Sequence, residues 1–212
     1  MKKLRIFFTA ILSLTGWFAL VLQFYLLYKD AVFSRTSLSN MVINYFSYFT
    51  ILTNILVAFT LTVVLLKPFS KLGNFFSNPS AATATAVYIT IVGLIYNTLL
   101  RHLWSPEGWQ LIADELLHLV VPLLYIVYWL FFVPRIFLRW KLVIRWLIFP
   151  FVYLIYLLAY GAYSGRYPYP FIDAEVLGYT KTLINAGMLF FLFVLMSLVF
   201  ITLDRMIFKR TT

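Results

Sequence analysis

Long apolar runs alternate with short clusters of charge, proline and glycine along most of the chain. A helix that crosses the hydrocarbon core of a bilayer needs about 20 predominantly apolar residues. Six stretches meet that need, at 6–28, 41–66, 81–100, 109–133, 143–163 and 182–203. They predict an all-α fold, a polytopic bundle of six transmembrane helices forming a single membrane domain over residues 1–212. No internal repeat is evident and the connections are short. The third stretch is the least apolar and opens AATATAVYITIVG. Small and hydroxyl side chains let helix backbones approach closely, which places this helix near the centre of the bundle. The first stretch follows a basic MKKLR start that could be taken for a signal peptide. Its apolar run outlasts the roughly 7–15 residues of such a signal and no small-x-small cleavage site follows, so it is read as a retained span.

The polar positions inside these stretches are not scattered. In the second, Asn44, Ser47, Thr50 and Asn54 recur at steps of three, three and four and share one helical face. The third carries Thr90, Gly93, Asn97 and Arg101 at similar steps, with His102 adjacent. The fourth has Asp114, His118 and Pro122 at successive i,i+4 positions, and the sixth has Asn185 near its start. Lipid cannot satisfy these groups, so they must turn toward protein or trapped water. Taken singly, Ser, Thr and Asn commonly bond across helices for about 0.6–2 kcal/mol, and Arg101 and Glu107 read as interfacial residues whose long stems snorkel outward. Ionisable groups deeper in a span cost at least about 2.5 kcal/mol unless paired or wet. That singles out Asp114 and His118. With the second span starting near Met41 and the fourth near Trp109, Thr50 and His118 each lie nine residues in. At 1.5 Å per residue both would sit about 14 Å deep, at one level.

Composition sharpens the class. The 212 residues are 63% hydrophobic and 11% charged, whereas soluble domains run near 45–50% and about 25%; a soluble fold of this size could not hide so much apolar surface. The balance is basic, 17 Lys and Arg against 7 Asp and Glu. No basic run with stacking aromatics accompanies it, so membrane lipids, not nucleic acid, are the expected partners. With the N-terminus inside, twelve of the seventeen cations fall on cytoplasmic segments, leaving Lys29, Arg35, Arg101, Arg166 and Lys181 outside. The positive-inside rule therefore gives an N-in, C-in topology, and an even number of spans, which keeps both ends on one side, agrees with it. The acids show the opposite bias: only Asp204 falls on the inner side.

Cysteine is absent, which excludes disulfides, thiolate metal sites and cysteine nucleophiles. Two histidines form no HExxH or histidine box, so no metal and no cofactor is expected. GAYSG at 161–165 lacks the Gly-x-Ser-x-Gly spacing of a nucleophile elbow. The outer polar groups do permit nucleophilic chemistry. A neutral His118 within hydrogen-bond reach of Thr50 could take its proton. Asp114, one turn earlier, could orient the imidazole, and Asn54 or Asn97 could donate to an oxyanion. Arg101 and Asp173 complete the set of candidate substrate-binding residues.

SYFTILTNILV, DELLHLVVPLLY and YPYPFID occur in that order between about residues 40 and 190. Together they resemble the Pr6Pr-type integral membrane proteins of bacteria, related to the animal androgen-induced, FAR-17a-like family; the loop motif is the most specific of the three. The resemblance implies a multi-pass protein of a bacterial plasma membrane. It also implies a threonine hydrolase acting on fatty-acyl esters, whose nucleophile matches Thr50 and whose histidine matches His118. The animal members read HTTVLP, one residue longer between His and Pro than HLVVP here. A non-enzymatic transporter and a ligand-binding or sensor component are the alternatives. The apolar inner halves of the second and fourth spans, LVAFTLTVVLL and VPLLYIVYWLFF, argue against a continuous polar path.

Overall fold

The computed structural model describes residues 2–211, with Arg210 and Thr211 in their backbone only, so the Arg210 side chain counted among the inner cations lies outside it. Among the described residues the regular structure is entirely helical. Six helical segments are long and apolar enough to cross a membrane: Lys2–Phe33, Phe49–Leu66, Pro79–Leu103, Gly108–Phe132, Leu142–Ser164 and Ala174–Lys209. Their outward side chains are apolar, such as Phe18, Val21, Phe131, Phe151, Val152 and Phe191, each more than half exposed. A soluble protein would not tolerate faces of that kind, whereas lipid solvates them. By internal contacts the chain forms two compact units, Met1–Arg135 and Ile136–Thr212.

The first unit holds four spans. Helix α1 (Lys2–Phe33) packs along α3 (Phe49–Leu66) through small residues, and a Cβ built on Gly16 would lie 3.2 Å from the Ala58 side chain. Hydroxyls tie the same seam: Ser13 Oγ and Thr62 Oγ1 are 2.8 Å apart, and Trp17 Nε1 donates to Thr62 Oγ1 at 2.9 Å. A short α4 (Lys71–Phe76) leads to α5 (Pro79–Ile95), of whose 17 residues ten are buried. The small-residue run thus places the third span centrally, as its composition predicts. Helix α6 (Gly108–Glu115) and α7 (Val121–Phe132) make the fourth span. On α7, Trp129 donates to Thr83 Oγ1 at 2.8 Å and Tyr125 to the Ala82 carbonyl at 3.3 Å, so the bulky aromatics seat against the AATATA face.

One predicted element is corrected. The continuous helix expected over 41–66 is broken at Tyr48, whose φ of −84° and ψ of 126° are extended. It becomes α2 (Leu38–Ser47) followed by α3, and Thr50 lies in the first turn of α3 instead of nine residues along one rod. No Pro or Gly marks the break. Freed backbone groups at membrane depth must be satisfied within the protein. Here the Tyr48 carbonyl accepts from Ile51 and Leu52 N–H at 3.1 and 3.2 Å, and Ser47 Oγ donates to the Asn44 carbonyl at 2.7 Å.

The second unit contains α8 (Leu142–Trp146), α9 (Ile148–Ser164) and α10 (Ala174–Thr211) around a core that includes Leu157, Ile172 and Ala186. Helix α9 ends at Gly165, left-handed at φ 64°. Tyr167 folds back on α9 so tightly that a Cβ on Gly161 would collide with its ring. Gly178, at φ 74° and ψ 154°, interrupts α10 near its start, so the span proper follows it. Asn185 donates to the Phe171 carbonyl at 2.8 Å and pins the loop motif to α10. The buried Asp204 accepts the Leu138 N–H at 2.9 Å, while the Arg205 guanidinium lies over the rings of Phe137 and Trp140.

Candidate functional site

Pro122 sets the local geometry of the fourth span. It has no N–H, so the carbonyl four residues earlier, that of His118, loses its helical donor and meets the pyrrolidine ring. The chain widens there into a π-helical turn, Leu116–Val120, between α6 and α7. A second π-turn, Tyr96–Leu100, follows α5 opposite it. Such turns shift side-chain register and recur at functional sites.

Two asparagines repair the widened turn from neighbouring helices. Asn97 Nδ2 donates to the His118 carbonyl at 3.0 Å and to Gly93 at 2.8 Å. Asn54 Nδ2 donates to the Leu117 carbonyl at 3.2 Å and to Thr50 at 2.8 Å. A primary amide has two hydrogens to give. Both residues have committed theirs, so neither retains one for an oxyanion, the role that sequence reasoning offered them. Gly93 is the companion of this arrangement. A Cβ there would meet the His118 carbonyl and Pro122 Cβ, each at 3.2 Å, so its bare backbone lets α5 approach.

Within this frame Asp114 and His118 come together as their spacing predicts. Asp114 is buried, and its Oδ1 lies 3.2 Å from His118 Nδ1. The same nitrogen is 3.0 Å from the Asp114 carbonyl. The other carboxylate oxygen, Oδ2, accepts the Tyr96 hydroxyl at 2.5 Å. Tyr96 also stacks on the imidazole, with centroids 3.7 Å apart and planes 12° from parallel, and its oxygen accepts from Trp104 Nε1 at 2.9 Å. Both contacts of the imidazole with Asp114 are made by Nδ1, and among the described residues no hydrogen bond is seen at His118 Nε2.

The remaining candidates divide. Thr50 is buried on α3 and joins this neighbourhood through Asn54, which bridges its carbonyl to Leu117; its hydroxyl and the imidazole are not hydrogen-bonded to each other. Arg101 donates to Asn97 Oδ1 and pairs with Glu115, so it sits on the rim above the asparagine. Asp173 lies in the second unit, where Oδ1 accepts the N–H groups of Glu175 and Val176 at 3.0 and 3.1 Å and caps the start of α10. Sequence reasoning missed Tyr96, Trp104 and the Arg101–Glu115 pair. A tyrosine within an apolar helix looks like packing, and nothing in the sequence marks it otherwise. Pro122 did carry a signal, because an orphaned carbonyl four residues earlier requires a donor from elsewhere. Among the described residues no three His, Asp or Glu side chains group so as to hold a metal ion.

Six helices long and apolar enough to cross a membrane define a multi-pass integral membrane protein, and its first unit holds a polar, acid-and-imidazole cluster. No protein-family model matches the chain, and no curated protein or solved structure is significantly similar to it.

Proposed function

We propose that this protein is an intramembrane hydrolase of lipid esters in a bacterial plasma membrane, with Thr50 as nucleophile and His118 as general base. The observation that carries this reading is the state of the imidazole. Nδ1 is engaged by both the carboxylate and the carbonyl of Asp114, and among the described residues Nε2 has no hydrogen-bond partner, the disposition a base needs. In the reaction Nε2 takes the Thr50 proton as Oγ1 attacks the ester carbonyl. The imidazolium then protonates the departing alkoxide, and water, activated by the same nitrogen, cleaves the acyl-threonine. Nucleophile–base contacts commonly close only in the Michaelis complex, so Thr50 need not already donate to Nε2. The committed hydrogens of Asn54 and Asn97 leave oxyanion stabilisation to other donors. A fatty-acyl ester is the substrate class to which the motif resemblance points, and it would reach the site laterally from the bilayer.

A second reading, a ligand-binding membrane component without turnover, draws support from Thr53 Oγ1 and Asn54 Oδ1. Both are buried without a hydrogen-bond partner and would be satisfied by a polar ligand or water. Reaction with a fluorophosphonate probe and turnover of lipid esters by the purified protein separate the two. Hydrolysis predicts labelling at Thr50 and a drop of about 10²-fold or more in Thr50→Ala and His118→Ala. Unchanged labelling and turnover in both variants would remove the hydrolase reading.

A further inference from the structure

We infer that Tyr96 and Trp104 are positioning residues that fix which nitrogen of His118 carries its proton. The inference rests on the donor and acceptor capacities of a four-residue chain of contacts. An indole N–H can only donate. Trp104 Nε1 is 2.9 Å from the Tyr96 oxygen, so that oxygen accepts from it. The tyrosine hydrogen is thereby free to point away from the indole, toward Asp114 Oδ2 at 2.5 Å. With Oδ2 occupied as an acceptor, the carboxylate cannot turn about its bond to Cβ without losing this contact, and Oδ1 stays directed at His118 Nδ1, 3.2 Å away. The second neighbour of Nδ1 is also an acceptor, the Asp114 carbonyl at 3.0 Å. A nitrogen facing two acceptors carries hydrogen. The neutral imidazole is therefore the Nδ1–H tautomer, with its lone pair on Nε2.

Tyr96 acts on the ring as well as on the carboxylate. Its ring centroid lies 3.7 Å from that of the imidazole and the planes are 12° from parallel, so a ring flip that put Cδ2 in the place of Nδ1, facing the carboxylate, would have to break the stack. Its reach follows from the π-turn that starts at Tyr96, packed against the one that carries His118. Trp104, at the end of the same span and partly exposed, starts the chain from the interfacial side, where tryptophan N–H groups are commonly found. The charged pair of the neighbourhood, Arg101 with Glu115, is engaged with itself and with Asn97 and has no hydrogen bond to the imidazole.

Imidazole nitrogen chemical shifts distinguish the two neutral tautomers directly, and they do so whether or not the protein hydrolyses anything. His102→Gln leaves His118 as the only histidine of the two in the chain. In this background, full-length protein labelled with ¹⁵N-histidine in lipid nanodiscs is expected to give a single neutral species with hydrogen on Nδ1. Tyr96→Phe keeps the ring but removes the hydroxyl, and it should give a mixture in which the Nε2–H form is readily detected. Trp104→Phe should give a smaller fraction of the same form. An Nε2–H parent spectrum would overturn the inference without any variant, and so would a Tyr96→Phe spectrum identical to the parent. If Thr50→Ala and His118→Ala retain full activity while the tautomer behaves as expected, the hydrolase reading fails and the positioning role stands. Loss of the tautomer effect with catalysis intact is the converse.

Discussion

Pro122, Asn54 and Asn97 are three polar or helix-breaking residues that act as one unit. The proline removes a donor and the asparagines supply two from other helices. Leaving a buried acceptor unsatisfied costs about 1–3 kcal/mol. Asn97→Leu is therefore expected to destabilise by about that amount in thermal unfolding. In a Pro122→Ala background residue 122 regains an N–H that can turn back to the His118 carbonyl, so the same substitution should cost less. A double-mutant cycle reads the difference, with a coupling of about 0.5 kcal/mol or more expected. Strict additivity would show that the His118 carbonyl is not what makes Asn97 necessary. The Asp114–His118 pair was legible in the sequence because i,i+4 residues meet on any helix. The asparagines were legible as polar groups needing a destination but not as donors to particular carbonyls. Their partners depend on a π-turn that periodicity at 3.6 residues cannot anticipate.

At the scale of elements, the six spans were legible because bilayer thickness fixes their length, and their ends agree with the structure to within a few residues in the third, fourth and fifth. What was not legible is where a span departs from a straight helix. Tyr48 breaks the second without Pro or Gly. Gly178 breaks the last, yet Gly187 on the same helix does not. The two glycines give opposite predictions. At Gly178, φ 74° with ψ 154° is a conformation almost restricted to glycine, so Gly178→Ala should lower stability by about 1–3 kcal/mol. Gly187 is helical and a Cβ there meets nothing within 4 Å, so Gly187→Ala should raise stability by about 0.5–1 kcal/mol. Melting temperatures in one detergent check both signs at once. Close approach is the other element-scale property. Gly93→Val would drive side-chain atoms into the π-turn, where even a Cβ finds contacts at 3.2 Å. Overpacking of this kind costs about 1–3 kcal/mol, and the expected signature is a lowered melting temperature together with loss of the single His118 tautomer.

The whole molecule carries an asymmetry that the sequence displays more plainly than any fold diagram. Twelve of seventeen Lys and Arg fall on the segments assigned to the cytoplasm, and all acids but Asp204 fall on those assigned to the other side. Asp204, the acid assigned to the inner side, is buried and accepts the Leu138 N–H. Cation retention on the cytoplasmic side sets orientation during insertion, and acids contribute little to it. The outer acids therefore need a separate reason to be there. The structure supplies one for several of them: Asp114 holds His118, Glu115 pairs with Arg101, and Asp173 caps α10. Because the chain has no cysteine, the orientation can be tested with single introduced thiols and no prior removal of native ones. Ser105→Cys and Arg166→Cys replace exposed residues in the two loops assigned to the outside, and Phe69→Cys and Arg139→Cys replace exposed residues in the two assigned to the inside. A membrane-impermeant maleimide applied to intact cells should label the first two, and should reach the other two only after permeabilisation. The reverse pattern would invert the bundle and move the Asp114–His118 cluster to the cytoplasmic half. A mixed pattern within either pair would contradict the six-span count itself, because an odd number of crossings between two labelled loops is the only way to separate them.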